Sequence, residues 1–274
     1  MNQSEFSVSS ILITLKSFFL RIILVSLAAS IVFICYSYTI EEAYESRAVL
    51  KLSEEDQAQS SSLGFGGLGG LASMTGINLS GGSDSKISLA IERIKSRDFL
   101  SKLIEDKEVL KNILSEEEIK SKEKILINAH NKYIQDMLYL KQDRDSGFLK
   151  IGITHHDPEV AKSFLELIIA ELNEISRKKD LEESNNSINY FNEEISKTTN
   201  KEIRLSLNKL IELQLQRKML ANIRKDYLLE YIDTPFLPIY RSKPSRTSYA
   251  ITGFLLGLFL ASLFYIISNK KEQS

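Results

Sequence analysis

The sequence predicts an α+β membrane protein, in which two transmembrane helices flank an exported domain. That domain joins a base of strands and short helices to a long antiparallel, coiled-coil-like helical extension. Three observations carry this reading. Ile22 to Ile40 and Ser248 to Ser268 are apolar runs without a formal charge, nineteen and twenty-one residues long. Either crosses a hydrocarbon core of about 30 Å as a helix. The 207 residues between them, 41–247, hold 31 of the 35 Lys/Arg and 34 of the 36 Asp/Glu. Between Glu159 and Arg224 there is neither proline nor glycine, and apolar residues recur at helical spacing.

The first run reads as an uncleaved signal anchor. It is longer than the apolar core of a signal peptide, and Ser37-Tyr38-Thr39 makes a poor cleavage site. Val32-Phe33-Ile34 before Cys35 lacks the small residues of a lipidation site, so Cys35 reads as a small apolar residue facing lipid or a helix. Lys16 and Arg21 precede this span, Glu41, Glu42 and Glu45 follow it, and Lys270 and Lys271 follow the second. Short-flank charge therefore predicts cytoplasmic segments at 1–21 and 269–274, with 41–247 exported. Arg241, Lys243 and Arg246 sit on the exported side against this rule, where they could meet lipid headgroups or another anionic partner.

Along the exported part, Tyr44 to Leu52 alternates as a strand, with Val49 the exception. Residues 59–86 hold eight of the twelve glycines, interleaved with Leu63, Phe65, Leu68 and Leu71. No Gly-Lys-Ser/Thr follows, so a loop with apolar anchors is expected rather than a phosphate cradle. Helices are expected around Ile87–Ile94 and Phe99–Ile104, the second capped by Ser96. A third opens on a Ser115/Glu118 capping box and carries Ile119, Leu126, Tyr133 and Met137. Leu138–Lys141 and Phe148–Thr154 read as a hairpin around Asp143–Gly147. Asp157 as N-cap with Pro158 at the first helical position starts the extension, 158–224. Ser196–Asn200 is its weakest helical stretch, and the chain must return to the membrane by Ser248. An antiparallel hairpin with its tip near Thr198 is favoured over one kinked rod. The base then spans about 41–157 and 225–240, with a closing strand at Leu228–Asp233. Pro235, Pro238 and Pro244 make a stiff connector to the second span. In that span Gly253, Gly257 and Ala261 repeat every four residues, a face that lets helix backbones approach in lipid.

Catalytic, cofactor and metal sites are not expected. His130 lies in a helix. His155-His156-Asp157 suggests a metal or acid–base cluster, but adjacent side chains leaving a strand should point apart, and Asp157 caps a helix. The cations and carboxylates of 41–247 nearly balance, which gives no electrostatic case for nucleic acid. Cys35, the single cysteine, lies in the first apolar run, so no disulfide framework is expected.

In order and spacing these motifs resemble one family. They are the strand after the first span, the Gly-rich loop, Ser96-Arg97-Asp98-Phe99-Leu100, and the strand into Asp157-Pro158-Glu159-Val160-Ala161. The long helices follow, then Asp233-Thr234-Pro235 with Pro238 and Pro244 before a Gly-xxx-Gly span. Together they look like the bacterial chain-length determinants of the Wzz type, the polysaccharide co-polymerases. The resemblance implies an oligomer in the inner membrane with a membrane-proximal α/β base and a periplasmic helical extension. It implies no catalysis of its own, and control of the length of O-antigen, capsule or exopolysaccharide made by a separate polymerase. The partners implied are further copies of the chain, that polymerase, the nascent polysaccharide and membrane lipids. With six residues after Ser268, the tyrosine-kinase domain of some relatives is not expected. A capsule or exopolysaccharide export component that meets an outer-membrane channel is the alternative. A sensory receptor and an efflux adaptor fit the layout less well.

Overall fold

A computed structural model describes residues 18–53, 83–115, 118–119, 124–143 and 145–272. Most of the Gly-rich stretch 59–86 lies outside them. The described residues divide into two compact units, one Tyr44–Ile239 and the other drawn from Met1–Ala43 with Tyr240–Ser274.

The end unit is a pair of helices, α1 (Phe19–Ser37) and α8 (Arg246–Glu272). Both are long and apolar enough to cross a membrane, with mean hydropathy 2.3 over Phe19–Ser37 and over Arg246–Ser268. The first helix starts three residues before the uncharged run and stops at Ser37, before Ile40. Phe18 stacks on Tyr265 and Tyr36 lies near Tyr249, so the helices run antiparallel. Leu20, Val32, Leu255 and Phe264 are among many large apolar side chains left facing outward. A bilayer, unlike water, accepts such a surface.

The larger unit is built on a four-stranded antiparallel sheet in the order β2-β3-β1-β4. Its strands are β1 (Tyr44–Leu52), β2 (Leu138–Gln142), β3 (Leu149–His155) and β4 (Leu229–Asp233). Period-2 alternation puts Ser46, Ala48, Leu50 and Leu52 inside, opposite Leu149, Ile151 and Ile153 of β3. The β2–β3 turn needs a left-handed residue, and Gly147 supplies it at φ 70°. Against the apolar face pack α2 (Ser83–Lys95), α3 (Arg97–Leu103), α4 (Lys107–Ile113), α5 (Ile125–Lys132) and the start of α6 (Pro158–Lys197). Ser96 caps α3 by accepting from the Phe99 amide at 3.1 Å. Of the single helix expected from Ser115 to Met137, parts lie outside the described residues; Ser115 does donate to Glu118, and α5 gives way to a π turn, Tyr133–Met137. That turn passes straight into β2 without a loop and sets both Tyr133 and Met137 in the core. Burial pushes the Tyr133 phenol far above its ordinary value.

The extension is a hairpin, not a rod. α6 ends at Lys197, three residues turn, and α7 (Lys201–Ile223) starts with Asn200 accepting from Glu202 and Ile203 amides. α6 is about 60 Å long and α7 about 35 Å. The difference is spent at the root of α6, where Phe164, Leu165, Ile168, Ile169 and Leu172 are buried against the sheet. The returning chain is fastened there. Tyr227 donates to Asp180 at 2.6 Å, Arg177 to the Lys225 carbonyl at 2.8 Å, and Asn173 meets the backbone of Leu228 and Leu229. By contrast α7 buries Ala221 alone among its described residues, leaving Leu205, Met219 and Ile223 at 63%, 60% and 75% exposure.

Candidate functional site in the paired apolar helices

Where α1 and α8 touch, small residues set the distance. A Cβ built on Gly253 would lie 2.7 Å from Phe33 Cβ and 3.1 Å from the Ala29 carbonyl oxygen. One built on Gly257 would lie 2.7 Å from Ala29 Cβ and 2.9 Å from Ser26 Cα. Carbon atoms prefer about 3.5–4.0 Å, so neither position has room for a methyl group. Ala261, one turn on, is 5% exposed and continues the face. Ser30 donates across the pair to the Ala250 carbonyl at 2.9 Å, while Ser26 bonds back to Ile22 within its own helix. A small-residue stripe and one interhelical hydrogen bond thus bring two backbones together, the arrangement that substitutes for a hydrophobic driving force inside lipid.

At the Tyr36–Tyr249 end, polar chemistry takes over. Glu42 accepts from both Arg241 and Arg246, the latter at 3.2 Å. The Arg246 guanidinium lies 3.8 Å from the Tyr38 ring centroid. Ala43 and Lys243 form an isolated antiparallel bridge. Three cations on this flank looked anomalous in the sequence; two of them share one carboxylate here.

The remaining singled-out residues lie elsewhere. Pro235 and Pro238 are buried in the irregular segment after β4, and Pro244 is buried just before α8. Asp157 accepts from the Glu159 amide at 2.8 Å with Pro158 at the first turn of α6. The histidine reading needs correcting. β3 ends at His155 and the chain bends, so the rings of His155 and His156 come to 3.9 Å instead of pointing apart. No group of His, Cys, Asp or Glu suited to a metal occurs among the described residues. His155 works structurally: the Asp157 amide donates to Nδ1 at 3.0 Å, so Nε2 carries the proton and donates to the Asn112 carbonyl at 3.1 Å. Sequence reasoning missed this tie between β3 and α4, because the partner is a backbone carbonyl 43 residues away.

Burial, and then the charge of His156, hold the His155 pKa below its ordinary value. The folded state therefore binds fewer protons than the unfolded one. This contribution is complete above the unfolded value of about 6.5 and is lost as pH falls below it. Melting temperatures of the protein between pH 8 and pH 5 should drop on the acid side, with a shallower slope in His155→Ala. Equal slopes would remove His155 as the cause.

Residues 4–107 match a family model, Wzz, chain length determinant protein. The family is the one the motif order pointed to. The Wzz match runs through α1, β1, α2 and α3 and stops at the first residue of α4, so Gly253, Gly257 and the three connector prolines lie beyond it. No curated protein matches the sequence. Among solved structures, a full-length bacterial polysaccharide co-polymerase is similar at 14% identity, covering 96% of this chain and 97% of that one, TM-score 0.40. A WzzB fragment from Salmonella Typhimurium is 17% identical over 74% of this chain and all of that one, TM-score 0.36. A chain from a Wzz dodecamer is 13% identical over 73% and 100%, TM-score 0.28. Scores this low do not establish a common fold, and the architecture above stands on its own elements.

Proposed function

We propose that the protein is a non-catalytic regulator of polysaccharide chain length in the bacterial inner membrane, acting as an oligomer beside a separate polymerase. The observation that carries this is the Wzz match over residues 4–107, which takes in the first apolar helix, the first strand and the helices that follow. The layout supports it: two antiparallel apolar helices bracket one folded unit in sequence, and flanking charge favours a periplasmic 41–247. Oligomerisation is supported by α7, whose Leu205, Leu215, Met219 and Ile223 lie on the side opposite the buried Ala221 and are 45–75% exposed. A surface so apolar in water marks an interaction face. The outward-facing apolar sides of α1 and α8 supply the contact to the bilayer and to neighbouring helices, the polymerase among them.

The test is the length distribution of surface polysaccharide in a host that has the polymerase but lacks this chain. Complementation should turn a random, short-weighted ladder into a modal one. If instead polysaccharide length is unchanged and its export to the surface depends on the chain, the protein is an export component and the proposal fails.

A further inference from the structure

The flank of the helix pair at the Tyr36–Tyr249 end carries more positive charge than its own carboxylates use. Arg241 and Arg246 converge on a single oxygen of Glu42. Nε of Arg246 has no acceptor. Lys243 is exposed and pairs with no carboxylate among the described residues. Glu41 and Glu42 are the two acidic residues of this unit on that flank, against three cations. Around them stand tyrosines whose rings face outward: Tyr36 at 60%, Tyr38 at 63% and Tyr240 at 87% exposure.

Height along the helix decides what surrounds this cluster. Arg246 is the first residue of α8, and the uncharged run begins two residues later at Ser248, about 3 Å along the axis. Once α8 crosses a bilayer, the Arg246 guanidinium sits where hydrocarbon gives way to headgroups. Tyr240 is six residues earlier and lies within about 20 Å of it even if the chain is fully extended. Tyrosines favour this layer, with the ring in the acyl boundary and the hydroxyl in water. Guanidinium groups meet phosphate there with several donors at once.

We infer that Arg241, Lys243 and Arg246, framed by Tyr36, Tyr38 and Tyr240, form a site for the phosphate of an anionic lipid in the outer leaflet of the inner membrane. Glu42 is its internal competitor: it holds the two guanidinium groups together when the site is empty and gives up part of them to a phosphate. This explains why three cations persist on the flank where the orientation rule disfavours them, because the lipid neutralises the excess. The inference rests on the reading of α1 and α8 as spans.

The test uses the full chain in detergent, titrated with phosphatidylglycerol or phosphatidylcholine and read by native mass spectrometry. Wild type should retain phosphatidylglycerol preferentially, with about a fivefold loss for each cation removed in Arg241→Gln, Lys243→Gln and Arg246→Gln. Glu42→Gln should strengthen retention. Arg21→Gln, at the other end of the pair, should leave it unchanged. Inorganic phosphate at millimolar concentration should not compete, since the acyl chains supply much of the binding. Equal retention of the two lipids by wild type, or an unchanged preference in the triple variant with normal melting, overturns the inference. So does displacement by inorganic phosphate alone, or binding of an acidic polypeptide without any lipid preference. Carbonate extraction of membranes separates the two levels: a chain released by carbonate refutes the spans themselves, whereas a retained chain without lipid preference refutes only this site.

Discussion

Replacing Gly253 and Gly257 together by leucine is expected to hold α8 away from α1 and to change polysaccharide length, while Tyr44–Ile239 still folds. The added Cβ atoms alone would fall 2.7 Å from Phe33 Cβ and from Ala29 Cβ, before any further leucine atom is placed. Beneath them are the Ala29 carbonyl and Ser26 Cα, which are backbone and cannot swing aside. The helices must separate, and separation forfeits both dispersion contacts and the Ser30–Ala250 hydrogen bond. In lipid no hydrophobic pressure pushes them back. Cysteines placed at Ser30 and Ala250 in a Cys35→Ser background should cross-link in the parent and fail to do so in the double leucine variant. Loss of the cross-link with an unchanged length distribution would show the pairing to be dispensable for length control. A retained cross-link would contradict the close approach itself.

Asn173→Ala is expected to be the most destabilising single change in the larger unit. The Asn173 amide accepts from the Leu228 and Leu229 amides at 2.9 Å each and donates to the Leu229 carbonyl at 3.0 Å. It behaves as one more strand residue along the outer edge of β4, at the point where the chain leaves the hairpin and enters the sheet. Leu229 is fully buried and Asn173 is 4% exposed, so water cannot replace the amide without opening the core. Stranding two buried backbone groups of Leu229 and the partly buried amide of Leu228 costs about 3–5 kcal/mol, which for a unit of this size lowers the melting temperature by roughly 10 °C. Asn173→Asp keeps the two acceptor contacts and loses the donor, so it should fall between wild type and Ala. Thermal unfolding followed by circular dichroism ranks the three, and a drop under 2 °C for Ala would remove the latch from this account.

Residues whose environment is set by periodicity were legible from the chain. The strand faces of β1 and β3, the Asp157-Pro158 start of α6 and the break at Thr198–Asn200 follow from side-chain alternation, capping chemistry and weak helix propensity. Each is decided within a few residues. The Asn173 latch, the His155 tie to Asn112 and the shared use of Glu42 were not legible. Each joins side chains to partners 43 to 204 residues away, and an isolated asparagine or histidine carries no mark of its partner. Opposite side-chain directions at His155 and His156 follow only if the strand runs on, and it stops. At the helix pair, composition indicated the small-residue face, but which helix fills the groove is a fact of packing.

The hairpin root has a mechanical consequence. From Asn173 to Lys197, α6 runs about 36 Å beyond the latch without a proline or glycine, so it bends little over that distance. It is a lever arm clamped at one end in the sheet. A rotation of one degree at the clamp moves the Thr198–Asn200 tip by about 0.6 Å, and ten degrees carries it by roughly a helix radius plus a side chain. Repacking around Leu172, Asn173 and Leu229 too small to alter the sheet would still displace whatever the tip touches. The converse holds too: a load applied at the tip arrives at the sheet as torque on a few buried side chains.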